Sequence, residues 1–284
     1  MSAFDEYSPL RRVAIRRPEA AFHSDARLDQ EWRALNYHSR PDLSGAIDEY
    51  DKFSSLLEAQ GAELISLPDA EGLTLDSIYV RDSLIVTPRG IVLANMGKPA
   101  RAHEPSINAQ SLNLPIIGEI TSPGMMEGGD LVWLDERTLL VGVGYRTNLE
   151  AVRQLQSILT ETMVLAFDLP HYKGRSDVFH LMSVLSPLDR DLACVYLPLM
   201  PVRLVQFLES RNIQFAEVPE HEFDTMGCNV LAIAPRRAIM VSGNPRTAAA
   251  IRAKGCELEI IKANEISRKG EGGPTCLTRP LLRG

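Results

Sequence analysis

The chain is short of several things, and each shortage removes a class of function. It holds only four cysteines in 284 residues. None forms a CxxC pair and none stands near a histidine at zinc-ligand spacing, so neither a disulfide scaffold nor a zinc module is expected. Lysine and arginine number 30 against 37 aspartates and glutamates, a net charge of −7. No basic block stands out, which argues against nucleic acid as a partner. Long hydrophobic runs are missing as well. The longest apolar stretch, "LACVYLPLMPVRLV", is broken by Pro198 and Pro201 and is too short to cross a bilayer. The first residues, "MSAFDEYSPLRRVAIRRPE", carry no apolar core and are not read as a secretory signal, so a cytoplasmic location is expected.

What remains is the composition of an ordinary globular protein, 45% hydrophobic and 24% charged. A chain of this length buries a sizeable core. Four segments share one plan, an apolar run, a tight polar turn and a second apolar run. They are "SIYVRDSLIVTPRGIVLAN", "GGDLVWLDERTLLVGVG", "HLMSVLSPLDRDLACVYL" and "GCNVLAIAPRRAIMVSG". Alternation around such turns predicts β-hairpins. Turn markers at Pro88, Asp135, Leu188 and Pro235 fall 47, 53 and 47 residues apart.

Helix-like stretches separate the hairpins. "YRTNLEAVRQLQSIL" places Leu149, Val152, Leu155 and Leu159 on one face. "PVRLVQFLESRNI" and "NPRTAAAIRAKGC" occupy the same place later, and "DEYDKFSSLLEAQGAELISLP" earlier, each leading into a short apolar strand. The unit is hairpin, helix, strand, repeated about every 50 residues. Five units fit if "LRRVAIRRP" near the start completes the module that "CLTRPL" begins near the end. No linker interrupts the pattern, so residues 1–284 are expected to form one α/β domain, a ring of five ββαβ modules.

The segment entering each hairpin gathers the polar residues. "YVRD" sets Arg81 and Asp82 in an otherwise apolar strand, "EGGD" sets Glu127 and Asp130 around two glycines, and His180 opens a strand after "GRSDVF". Cys276 follows "GEGGPT". Cys194 and Cys228 lie in apolar runs and read as small core residues, and Cys256 carries no further signal. Each polar element alone reads as a turn cap or a satisfied structural residue. At matching phases of a ring they converge on its centre, and a cysteine with a distant histidine and carboxylates is a nucleophile constellation. The flanking glycines let backbone approach a substrate.

"YVRD", "MEGGD", "FHLMS" and "GGPTCLTRPL", in that order, resemble the motifs of the guanidine-modifying superfamily, over about Leu10 to Arg283. That group holds arginine deiminases, dimethylarginine dimethylaminohydrolases and glycine amidinotransferases. The compact length and "YRTN" look most like the dimethylarginine hydrolase branch. The resemblance implies a five-bladed α/β-propeller with pseudo-fivefold symmetry and a hydrolase with no metal or organic cofactor, acting on a small guanidino or amidino substrate. It implies that Cys276 is the nucleophile, His180 the general acid and base, and Glu127 the carboxylate holding both His180 and the guanidinium. Asp82 becomes the second carboxylate on the guanidinium nitrogens. Arg101 and Arg146 match positions that bind a substrate α-carboxylate, and Asp76 matches the pocket edge.

Two positions depart from the pattern. Met182 stands where deiminases and amidinotransferases carry an aspartate two residues after the catalytic histidine. Arg81 stands where dimethylarginine hydrolases can carry glutamate. The pocket is thus expected to have one carboxylate fewer, which admits a less cationic or alkylated head group in place of free arginine. Amidino transfer to an acceptor amine, hydrolysis of citrulline or an amidine amino acid, and a propeller that binds without turnover are the alternatives. An assembly of identical chains is left open.

Overall fold

The computed structural model describes residues 4–175, 177 and 179–284. Its fifteen strands form five three-stranded sheets of one design. In each, an antiparallel hairpin gains a third strand, parallel to the hairpin's second strand, after a helical crossover.

Strand β1 (Leu10–Ile15) is followed by the helix Leu43–Ala59 and by β2 (Glu63–Ser66), which pairs parallel with it. The second module is β3 (Leu84–Thr87), β4 (Gly90–Leu93), the helix Glu104–Leu112 and β5 (Ile116–Glu119). In the third, β6 (Leu131–Asp135) and β7 (Thr138–Val143) precede the helix Leu149–Ile158 and β8 (Met163–Asp168). The fourth holds β9 (Leu185–Asp189), β10 (Leu192–Val195), the helix Val202–Ser210 and β11 (Gln214–Glu217). The fifth holds β12 (Leu231–Ala234), β13 (Arg237–Val241), the helix Pro245–Ala253 and β14 (Glu257–Ile261). Strand β15 (Arg279–Arg283) returns to pair antiparallel with β1, in the register Ala14 to Arg279 and Leu10 to Arg283. The first sheet is therefore built from both ends of the chain.

The order within each sheet follows from side-chain chemistry. Every residue of β3 and β10 is buried, and both are unbroken or nearly unbroken apolar runs, as a strand covered on both faces requires. The third strands β2 and β5 begin and end on exposed residues, Glu63 and Ser66 in one and Ile116 and Glu119 in the other, and bury none of their residues fully. The helices Leu43–Ala59, Leu149–Ile158 and Pro245–Ala253 lie against the outer strands of their own modules, and the helix Glu104–Leu112 lies against β4 and β3. Two of them start on side-chain caps: Asp42 accepts from Gly45 N at 2.7 Å and Asn148 from Ala151 N at 3.0 Å. Leu204 and Leu208, four apart on one helix face, are fully buried, and truncating either to alanine would cost about 2–5 kcal/mol.

Neighbouring modules meet in sequence. Strand β15 packs on β3, β9 on β12 and β12 on β1. Gly128 N donates to Asp82 O at 2.8 Å between the second and third modules, and Leu181 N to Asp130 Oδ1 at 3.0 Å between the third and fourth.

Some local expectations need correction. Tyr79–Asp82 are not part of a strand but form the turn that precedes β3, and His180 caps a single 3₁₀ turn, Leu181–Ser183, ahead of β9. In both places a buried polar side chain needs a backbone that turns toward it, which a regular strand does not supply. Leu149 lies at the helix start and is 62% exposed, while Ala151 and Leu155 carry the packing. Within "GRSDVF", Ser176 and Val178 lie outside the described residues.

The shared first sheet makes the last residues structural. Removal of 279–284 strips β1 of its antiparallel partner and should abolish cooperative thermal unfolding monitored by circular dichroism. A truncated chain with a sharp, near-native melting transition would show that the pairing is dispensable.

Candidate active site

The five turns that enter the hairpins each deliver one polar side chain: Asp82 before β3, Glu127 before β6, His180 before β9, Asn229 before β12 and Cys276 before β15. Asp82, Glu127 and His180 bring oxygen and nitrogen atoms within 4.8 Å of one another. Among the described residues they are the one group close enough to hold a metal ion, and the same spacing suits a planar organic cation. Cys276 and His180 line the cleft together, and Cys276 is the partly exposed cysteine of the four.

Glu127 is fully buried and densely bonded. Its Oε2 lies 2.8 Å from His180 Nε2, Arg146 Nη1 reaches both oxygens at 3.2 and 3.3 Å, and Lys98 N donates to Oε1 at 3.1 Å. Burial alone would raise its pKa, but the hydrogen bond and charge of His180, with the charges of Arg146 and Arg101, outweigh it and hold the carboxylate ionised, below the usual range. His180 moves the opposite way. Burial opposes its charged form, yet Asp130, Asp82 and Glu127 together lift it to about 9, so the imidazolium is the neutral-pH form. Asp130, buried beneath it, is pushed up to about 6 by desolvation.

Asp82 is held from two sides. Gly129 N donates to Oδ1 at 3.0 Å and Arg101 Nη1 to Oδ2 at 2.6 Å. The glycine is compulsory, because a Cβ there would sit 2.5 Å from His180 Nδ1 and 2.8 Å from Asp82 Oδ1. Arg101 is itself gripped by Glu104 through Nε at 2.7 Å and Nη2 at 2.8 Å, all of it buried. Asp76 forms an ion pair with Lys98 Nζ at 2.5 Å on the cleft wall. The expected site residues thus gather in one place. The two arginines read as substrate contacts stand on the carboxylates, Arg101 on Asp82 and Arg146 on Glu127.

Asn229 was not anticipated. Its Nδ2 donates to Cys276 Sγ at 3.2 Å while its Oδ1 accepts from Thr275 N and Thr275 Oγ1, so it fixes both the thiol and its loop. The signal was available in the repeat, since "GCN" precedes β12 as "EGGD" precedes β6. Gly273 permits the approach: a Cβ there would lie 2.5 Å from the Asn229 amide. Burial, then the charge of Asp82, pushes the Cys276 thiol above its ordinary pKa, against the pull of the Asn229 and Thr275 hydrogen bonds.

A family model described as N,N dimethylarginine dimethylhydrolase, eukaryotic, matches residues 21–283. The chain belongs to that family. It is a hydrolase of amidine C–N bonds, within the wider set of guanidino-modifying enzymes that includes the arginine deiminases and amidinotransferases. It is 27% identical over 286 residues to the uncharacterized protein YkgA of Bacillus subtilis, covering 98% of this chain and 94% of that one. It is 26% identical over 242 residues to the dimethylarginine dimethylaminohydrolase of Pseudomonas aeruginosa, covering 84% and 89%. A solved mutant of that Pseudomonas enzyme complexed with citrulline superposes with a TM-score of 0.78 at 23% identity, over 97% of this chain and 100% of that one.

The two departures from the family pattern separate in space. Met182 lines the cleft, in a second lobe with Phe179, Phe223 and Met226, reached past His180 and Cys276. Arg81 does not line the cleft. Its guanidinium bonds Glu6 at 3.1 Å and Thr275 O at 3.0 Å on the other side of the turn. The deficit of one carboxylate therefore rests on Met182, because the side chain at position 81 is turned away from the cleft.

The raised thiol pKa has a direct readout. The ultraviolet thiolate absorbance that differs between the native protein and Cys276→Ser should appear only in the alkaline range when no ligand is bound. A midpoint below that of an ordinary thiol would contradict the burial argument.

Proposed function

We propose that the protein is a cysteine-dependent hydrolase of a guanidino or amidino amino acid, such as an N-methylated arginine. The observation that carries this reading is the meeting of Cys276, His180 and Asp82 on one cleft, with buried Glu127 bonded to His180 behind them. The five sheets are read as a closed five-bladed α/β-propeller and the whole chain as one catalytic domain, with the cleft at its centre.

A guanidinium carbon is a poor electrophile because its charge is spread over three nitrogens. Asp82 and Glu127 hold those nitrogens in plane and aim the carbon at Cys276 Sγ. Arg101 and Arg146 occupy the same carboxylates in the unliganded cleft, so the substrate cation exchanges with protein cations rather than entering a bare anionic site. Arg146, released from Glu127, turns to the substrate α-carboxylate. Arg101, clamped by Glu104, keeps Asp82 in place, and Asp76 with Lys98 forms the pocket edge. The bound cation offsets Asp82 and lowers the thiol pKa, so the thiol gives its proton to water and Sγ becomes a thiolate. Sγ then bonds to the carbon, and His180 protonates the departing amine or ammonia as its C–N bond breaks. The covalent S-alkylthiouronium remains. The neutral imidazole takes a proton from water, whose oxygen attacks the same carbon; the C–S bond breaks, the thiolate takes up the proton left on that oxygen, and the neutral ureido product and the thiol result, with His180 again protonated.

A second reading is amidino transfer to an acceptor amine. The apolar lobe around Phe179, Met182 and Phe223 favours it, because it offers an acceptor a place beside Cys276 and His180. Rising primary amine would then divert product from the urea to a new guanidine, and a constant urea yield would exclude transfer.

Cys276→Ser should retain the fold and lose at least about a thousandfold in kcat, roughly 4 kcal/mol of barrier. Near-normal turnover would remove the mechanism. The acid role of His180 sets the alkaline limit: the proton-bearing form is present below its raised pKa, so kcat/KM, which climbs as the free thiol ionises, should turn down only as pH rises through about 9. A fall beginning near pH 6.5, the ordinary histidine value, would contradict the electrostatic account. Arg146→Ala should raise KM far more than it lowers kcat for an amino-acid substrate, and should leave the poor turnover of agmatine nearly unchanged. An unchanged KM would mean that Arg146 does not meet the α-carboxylate.

A further inference from the structure

The polar lobe of the cleft is lined by Lys98, Arg101 and Arg146 and by the carboxylates of Asp76, Asp82 and Glu271. Each of these carboxylates has a partner from the protein itself. Asp82 is held by Arg101, and Glu271 bonds the exposed His38 ring at 2.8 Å. Asp76 is paired with Lys98, whose Nζ lies 2.5 Å from Oδ2 in an ion pair without hydrogen-bond alignment. The same Nζ donates to Leu35 O at 3.0 Å. A primary ammonium thus stands between a buried carboxylate and a backbone carbonyl, the surroundings that the α-ammonium of an amino acid requires.

The backbone of Lys98 is fixed beside the substrate contacts. Lys98 N donates to Glu127 Oε1 at 3.1 Å, and the residue stands at the head of the 3₁₀ turn Pro99–Arg101. The preceding Gly97 packs so closely that a Cβ there would lie 3.0 Å from Arg146 Cα. Lys98 therefore adjoins Arg146, the residue read as meeting the substrate α-carboxylate. In an amino acid the ammonium is carried by the same carbon as that carboxylate. It would bring a second ammonium to acceptors that already hold one, and like charges at such range repel, so Lys98 has to leave Asp76. A guanidino acid without the amino group brings only its carboxylate and finds Asp76 neutralised. Without Lys98 the ranking inverts. A substrate lacking the ammonium would then leave Asp76 as a buried, unpaired charge, which a binding site rejects strongly.

We propose that Lys98 stands in for a substrate α-ammonium, and that the preferred substrate is an ω-guanidino or ω-amidino carboxylic acid without an α-amino group. The inference rests on the hydrolase reading above and adds the far end of the substrate. Amino acids enter by displacing Lys98 from Asp76, whereas their des-amino counterparts leave the pair in place. Lys98 is a specificity-determining residue that acts by repulsion as much as by attraction.

The test compares an N-methylated arginine with its des-amino analogue, which carries hydrogen in place of the α-amino group. Dissociation constants are read by titration calorimetry on the full chain carrying Cys276→Ser, where no turnover intervenes. The des-amino acid should bind about tenfold more tightly. Adding Lys98→Met should invert the order, and adding Glu271→Gln should leave the ratio unchanged. The proposal is overturned by a tighter amino acid in the Cys276→Ser protein, by a des-amino acid that does not bind, by a ratio indifferent to Lys98→Met, or by one that Glu271→Gln moves instead. Turnover by the native protein checks the underlying reading separately. Binding in the expected order with no ureido product from either compound upholds the role of Lys98 and removes the hydrolase. Product from both compounds, with the amino acid preferred, upholds the hydrolase and removes the role of Lys98.

Discussion

Everything in the cleft depends on the buried carboxylate of Glu127 and its ionic partners. An isolated carboxylate with no solvent contact would take up a proton, since desolvation disfavours its charged form. Here the His180 ring at 2.8 Å, the Arg146 guanidinium and the Lys98 amide make ionisation the cheaper state. The same contact keeps His180 protonated. In the proposed mechanism a charged acid and an uncharged thiol share the cleft at the start, and the thiolate forms once a positive head group has arrived. Removing either member of the pair leaves its partner as an uncompensated buried charge, so the pair is a single unit in folding and in chemistry.

The cleft carboxylates are held in protein ion pairs. Arg101, fixed by two bonds from Glu104, is a permanent part of the wall, whereas Arg146 holds Glu127 by one Nη1 at 3.2 and 3.3 Å. The difference in grip assigns the difference in role. In the mechanism we propose, the looser pair is the one a substrate guanidinium displaces, and the freed arginine then meets the other end of the same molecule. Met182 and the aromatic lobe behind it give the far side of the nucleophile an apolar character that suits an alkylated nitrogen.

Much of this was legible in the sequence because the fold repeats. Turn markers about 50 residues apart located four hairpins within a residue or two, and the pairing of "CLTRPL" with "LRRVAIRRP" matches β15 and β1. Matching phase in the repeat is also why Asp82, Glu127, His180 and Cys276 could be named together. What was not legible depends on contacts across the repeat rather than within it. Asn229 carries no charge and looks like a turn residue until its amide is seen 3.2 Å from Cys276 Sγ. Arg81 and Asp82 are adjacent in sequence, yet the turn sends them to opposite sides, and no local pattern reveals which side is the pocket. The pairing of Arg101 and Arg146 with carboxylates was equally hidden, because an arginine in a loop reads the same whether it meets solvent or a buried acid. Leu149 misled for a simpler reason: helical periodicity continues to the first residue, but packing does not.

The central claim is that Cys276 forms a bond to an amidino carbon that Asp82 and Glu127 hold. The most direct measurement is mass spectrometry of His180→Gly incubated with S-methyl-L-thiocitrulline or an N-methylated arginine, followed by peptide mapping. Without the imidazole to activate water, the second half of the reaction should stall, and a single adduct equal to substrate minus its leaving group should map to the peptide containing Cys276. An adduct on another residue, or unmodified protein from a variant that still releases product, would contradict the account.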